Sequence, residues 1–140
     1  MSYSKIEALI KATVEAVIPD VQYLHEVGSE INKQKIKKTF FVQLEPIVQS
    51  LSNISAAGEN KTYQCSIAFV MQDSKDLSAG NSMHIIEECS NEATKFMRLL
   101  SKSNEIEFTG SATLTPVVRT ISVYVFSGQL LRFSLINNEC

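Results

Sequence analysis

Glycine is scarce in this chain and never clustered: Gly28, Gly58, Gly80, Gly110 and Gly128 each stand alone. A phosphate-cradling loop needs glycines together, so none can be written here. No Gly-x-Ser-x-Gly nucleophile elbow occurs either. Histidine is limited to His25 and His84, which excludes the paired-histidine motifs of zinc hydrolases. The three cysteines, Cys65, Cys89 and Cys140, are an odd number. Cys65 and Cys89 fall in apolar patterns, where a cysteine is a small buried hydrophobe rather than half of a disulfide. No apolar run approaches the ~20 residues a membrane helix needs, so no membrane partner is expected. A net charge of -2 gives no overall basic footprint for nucleic acid. The segment Met1 to Lys5 lacks the charged-then-apolar plan of a signal peptide, so a reducing cytoplasm is the expected place of synthesis.

What the chain does have is periodicity. Its 140 residues, 44% hydrophobic and 20% charged, suit one globular domain spanning 1–140. The stretch that organises it runs from Lys61 to Leu100. Tyr63, Cys65, Ile67, Phe69 and Met71 alternate with mostly polar residues, Val70 being the exception. Alternation buries one face of a strand and wets the other, as in an antiparallel sheet. Gln72 to Asn81 has loop composition, with Asn81 or Ser82 placed to cap a following helix. Ile85, Ile86, Cys89, Ala93, Phe96, Met97 and Leu100 then recur at helical spacing. One sheet face needs a cover and one helix stripe needs a floor, so this helix is expected to lie across this strand.

In chain order, Ser4 and Glu7 match a capping box. Ile6, Leu9, Ile10, Thr13, Val14 and Val17 make an apolar stripe, and Pro19 ends that helix. Asp20 to Glu26 is a short strand candidate. Lys33, Lys35, Lys37 and Lys38 form the one local charge run. It reads as a solvated connector, or else as a surface for a polyanion or an acidic neighbour. Thr39 to Leu44 is a strand that Pro46 stops. Ile47 to Asn60 reads as a long connection, and a loop of that length in a compact domain is expected to be functional or mobile. Glu105 to Thr109 is extended, Gly110 marks a bend or bulge, and Ser111 to Phe126 is a strand. Pro116 must sit on an edge or at a break, because it has no N–H for a ladder. Ser127-Gly128 reads as a turn before a last strand, Leu130 to Ile136. The expected fold class is α+β: a mostly antiparallel sheet with two amphipathic helices packed on it.

The chemistry-bearing residues do not assemble. His84, Glu87, Glu88 and Cys89 are neighbours on one helix, and His84 shares a face with Glu88. Without a second histidine nearby they read as a solvated helix edge, and no metal site is expected. Apolar surroundings make Cys65 and Cys89 inert thiols. No catalytic residue and no cofactor are expected. In Val117 to Phe126 both strand faces carry apolar groups, with Tyr124 and Phe126 opposite Val123 and Val125. Such a strand asks for cover on two sides, and a second subunit is one source of it.

The layout as a whole resembles the tail-terminator and neck proteins of tailed bacteriophages, the ring-forming subunits of the head–tail junction. The shared plan is an N-terminal helix, then two strands joined by a long connection, here Thr39 to Pro46 and Lys61 to Asp73. A helix ending Phe96 to Leu100 and closing strands through Phe126 to Leu135 follow, then a short tail to Cys140. The sequence Phe69-Val-Met-Gln-Asp73 is similar to the aromatic-Asp segment after the family's central strand. The resemblance implies a tail-terminator-like fold and a non-enzymatic virion subunit. Copies would close a ring that joins portal or neck to tail and lets genomic DNA pass. It implies homo-oligomerisation, contact with other neck, portal or tail proteins, and assembly in the host cytoplasm. Lys33, Lys35, Lys37 and Lys38 would face the lumen or an adjoining ring. The long connection Ile47 to Asn60 and the C-terminal segment Ile136 to Cys140 would be the arms that reach neighbouring copies, and Tyr124 and Phe126 of the doubly apolar strand are further candidates for inter-subunit contact. The alternatives are an oligomeric cytoplasmic α+β enzyme or small-ligand module with a pocket near His84 and Cys89, and a nucleic-acid binder using the lysine run.

Overall fold

The computed structural model describes residues 3–24, 40–73, 79–121 and 124–137. The elements are α1 (Tyr3–Val17), β1 (Gln22–Leu24), β2 (Phe40–Leu44), β3 (Val48–Ser55), β4 (Gly58–Asp73), α2 (Ala79–Leu100), β5 (Ile106–Ile121) and β6 (Tyr124–Asn137). The fold is α+β, as expected: the described residues form two helices and a six-stranded, mostly antiparallel sheet. The sheet order is β1-β2-β4-β6-β5, and β3 also pairs with β4. Among the described strands, only β1 and β2 run parallel.

β4 is the axis of the sheet. One edge pairs with β6 from Tyr63↔Leu135 to Asp73↔Val125. The other is shared by β2 and β3. Leu44 pairs with Ile67 and Val48 with Gln64, so Glu45 to Ile47 stand against Cys65 and Ser66 alone. That is a one-residue bulge, and it forms around Pro46, which has no N–H to give the ladder. The Glu45 N–H still donates to the Ser66 carbonyl at 3.0 Å.

The alternating face of β4 meets the helices. Cys65, Ile67 and Phe69 join Val42, Leu44, Leu131, Phe133 and Leu135 under Ile6, Ile10 and Val14 of α1 and Cys89, Ala93, Phe96 and Leu100 of α2. Phe96 is the hinge pin of this layer, with ring centroids 5.7 Å from Phe69 and 6.2 Å from Phe133. α1 stops where expected: the Ile18 N–H still bonds to Val14, and Pro19 ends the run.

Several expectations are corrected. α1 and α2 open at Tyr3 and Ala79, ahead of the caps assigned to Ser4 and to Asn81 or Ser82. The chain from Ile47 to Asn60 is a β-hairpin and not a loop. Its turn formers mark a tight reversal at Ala56-Ala57, with Asn53 at φ 52° and Gly58 at φ 139°. The extended stretch from Ile106 to Ile121 is one strand, with Gly110 (φ 70°) at an irregularity inside it. Pro116 lies on this edge strand, as its missing N–H requires.

Ser127-Gly128 is no turn. Both residues are buried inside β6, which starts at Tyr124. Gly128 is there because its partner strand comes too close for a side chain: a Cβ would collide with the Phe69 carbonyl and come within 2.8 Å of the Val70 Cα. The Val70 exception in the β4 alternation has its reason as well. Phe41, Ala68, Val70, Phe126 and Leu130 form a second buried cluster, with Leu24 and Val117 packed against it. Phe126 is 3% exposed and meets the Phe41 ring edge-on at 5.1 Å. Phe126, expected to touch a neighbouring copy, is thus buried within the chain itself.

Candidate functional site

The feature that leaves the sheet is the β3–β4 hairpin. Among the described residues, Gly58 to Thr62 pair with β3 alone, because β6 joins β4 only from Tyr63 onward. The root of the hairpin is tied down. Tyr3 donates its hydroxyl proton to the Gln49 Oε1 at 3.3 Å, and the Gln49 amide donates to the Tyr63 hydroxyl at 3.2 Å. The Tyr3 and Tyr63 rings meet edge-on at 5.7 Å. Farther out, the ribbon is held by its ladder and its turn. There the Ala57 N–H donates to the Ser55 Oγ at 3.2 Å, and that hydroxyl donates to the Gly58 carbonyl at 3.3 Å.

This ribbon carries apolar side chains into solvent: Val48 is 55% exposed, Leu51 50% and Ile54 73%. A two-stranded ribbon is marginal in water, because it lacks a buried face. Burial is worth about 25 cal/mol per Å² of apolar surface, so these side chains hold stabilisation that a partner surface would release. The second open feature is β5, an edge strand with Leu114 and Val118 exposed. Sheet edges with unpaired backbone groups are where another chain adds.

Sequence reasoning singled out Ile47 to Asn60 as a connection reaching neighbours, but it did not read the stretch as strand or name Val48, Leu51 and Ile54. Their spacing of three suits neither the period of a half-buried strand nor the heptad stripe of a helix. That mismatch, in a stretch rich in serine and asparagine, was the available signal for an exposed strand.

The expected chemistry-bearing residues lie apart. His84 is exposed, whereas Cys89 is fully buried, so among the described residues the two do not share one solvent-facing surface. Burial pushes the Cys65 thiol up to about 12. Burial does the same to Cys89, also to about 12, with the Glu88 and Glu92 carboxylates adding to it. Both are neutral thiols at physiological pH and poor nucleophiles. Among the described residues, no three histidine, cysteine or acidic side chains gather as a metal site. No helix among them is long and apolar enough to cross a membrane. Tyr124 takes the first position of β6, paired with Ile121, and Ile136 is half-buried opposite Glu107. His25, Lys33, Lys35, Lys37, Lys38 and Cys140 lie outside the described residues. Compared with known proteins, the chain matches no family model and no curated sequence.

Proposed function

We propose that this chain is a non-enzymatic ring subunit of a phage neck or tail, a tail terminator or head–tail connector, whose closed ring lets DNA pass. The observation that carries the reading is the projecting hairpin with exposed Val48, Leu51 and Ile54. A closed ring needs head-to-tail contacts between two different surfaces, whereas a self-complementary surface closes only a dimer. The hairpin and the open β5 edge are two such surfaces on one chain. Apolar side chains at the tip supply the burial that holds the contact, and the tethered root fixes its direction. In this reading Lys33, Lys35, Lys37 and Lys38 face the lumen or an acidic neighbouring ring, and portal or tail proteins are the stacking partners. Assembly takes place in the host cytoplasm and the finished subunit resides in the virion.

The test is the mass of the purified protein in solution, followed by negative-stain imaging of the eluted species. Annular particles, alone or after mixing with portal or tail proteins, are the expected outcome. A protein that stays monomeric at high concentration and has no affinity for those partners contradicts the proposal. The alternative enzyme or small-ligand module places its pocket near His84 and Cys89, of which His84 is exposed and Cys89 fully buried.

A further inference from the structure

We infer that the sheet face opposite the helices carries a phosphate-class anion site centred on Arg132. This goes beyond the ring proposal, because the site lies within one chain and needs no neighbour.

Below the second apolar cluster, this face of the sheet turns polar. A concavity of about 380 Å³ opens there, lined by Gln64, Cys65, Ser66, Ser111, Thr113, Arg132, Phe133 and Ser134. Strand register explains the grouping. Arg132 pairs with Ser66 of β4 on one side and with Thr113 of β5 on the other. Ser134 follows on the same face, opposite Gln64. Directly opposed residues in antiparallel strands stand about 5 Å apart, so hydroxyls flank the guanidinium on both sides.

The hollow itself comes from an irregularity in β5. Thr109 pairs with Ser134 and Thr113 with Arg132, so β5 advances four residues while β6 advances two. Gly110, at φ 70°, permits the backbone path there. Bulges bend a strand and re-aim side chains, and they are over-represented beside functional sites. Here the bend brings Ser111 onto the rim of the concavity.

The electrostatics point to an anion. Arg132 is the one charged side chain among the described lining residues, and Gln64, Ser66, Ser111, Thr113 and Ser134 offer neutral hydrogen-bond donors. Among the described residues, no carboxylate stands within ion-pair distance of Arg132. Glu45 ends the same row beyond Ser66, and Glu107 lies farther along the face opposite Ile136, but neither lines the hollow. A guanidinium offers a planar fork of donors that matches two oxygens of a phosphate, and the surrounding hydroxyls can hold the remaining oxygens. A free phosphate and a backbone phosphate of nucleic acid present the same oxygens to this site.

The experiment uses the full chain at low ionic strength, titrated separately with inorganic phosphate and with a short duplex DNA. Amide resonances of Thr113 and Ser134 report occupancy. The expected result is a saturable shift with at least one titrant. Arg132→Gln should weaken binding about tenfold or more, the scale of a lost charged hydrogen bond. Because Arg132 is exposed, the melting temperature should stay unchanged. Arg132→Lys, which keeps the charge and loses the fork, should fall between the two. Binding of DNA with a linear salt dependence assigns the phosphate to a nucleic-acid backbone. Binding of inorganic phosphate alone assigns it to a free ion. No saturable shift with either titrant, or equal binding by Arg132→Gln, overturns the inference. Either failure leaves the ring proposal standing, since that rests on the hairpin and is read from particle mass.

Discussion

At the scale of single residues, Gly128 and the two buried cysteines are the sharpest points. Gly128 lies against the β4 backbone, which cannot swing aside as a flexible side chain would. Gly128→Ala should therefore destabilise the fold toward the upper end of the ~1–3 kcal/mol typical of overpacking. A urea midpoint equal to that of the parent would show that the strands separate more easily than the contact implies. The thiols give a pH signature. Folding raises both from an ordinary value of 9.0 to about 12. Below pH 9 the unfolded and folded chains both keep these protons, and the contribution to stability is complete. Between pH 9 and about 12 the unfolded chain loses them first, so stability falls as pH rises through that window. A disulfide reagent at pH 8 should leave Cys65 and Cys89 unlabelled in the native protein and label them once urea unfolds it. Rapid native labelling of either would mean that its strand or helix opens locally.

Among the elements, the hairpin and α2 illustrate opposite ways of forming structure. α2 is held by its stripe: Cys89, Ala93, Phe96 and Leu100 are buried against β4 and β6. The outer β3–β4 ribbon is held by backbone hydrogen bonds and a root tethered through Gln49, while Leu51 and Ile54 face water. Removing exposed apolar groups costs a monomer little, so the double change Leu51→Ser and Ile54→Ser should move its stability by no more than about 0.5 kcal/mol. The same change should shift sedimentation from assembled to single subunits if the hairpin is the contact arm. Unaltered assembly in that variant would remove the hairpin from the interface and leave the β5 edge as the surface to examine next.

For the molecule as a whole, legibility followed burial. The alternation from Tyr63 to Met71 and the stripe from Ile85 to Leu100 announced the central strand, the second helix and their contact, because each has one face in the core. Pro19 and Pro46 marked true ends, and Pro116 an edge, since a missing N–H has the same consequence in any surroundings. The hairpin was illegible for the converse reason: a strand exposed on both faces leaves no alternation to read. Ser127-Gly128 misled because its composition fits a turn, while its actual use is a close approach of β6 to β4 that only strand pairing reveals. The Arg132 hollow was hidden in the same way. Ser66, Thr113 and Arg132 are far apart in the chain and become neighbours only through register. The sequence by itself determined the α+β class and the inert buried thiols, because those follow from local period and polarity. Tertiary structure alone decided which strand edges stay open, where the hairpin projects and which polar residues share a face, because these depend on partners distant in sequence.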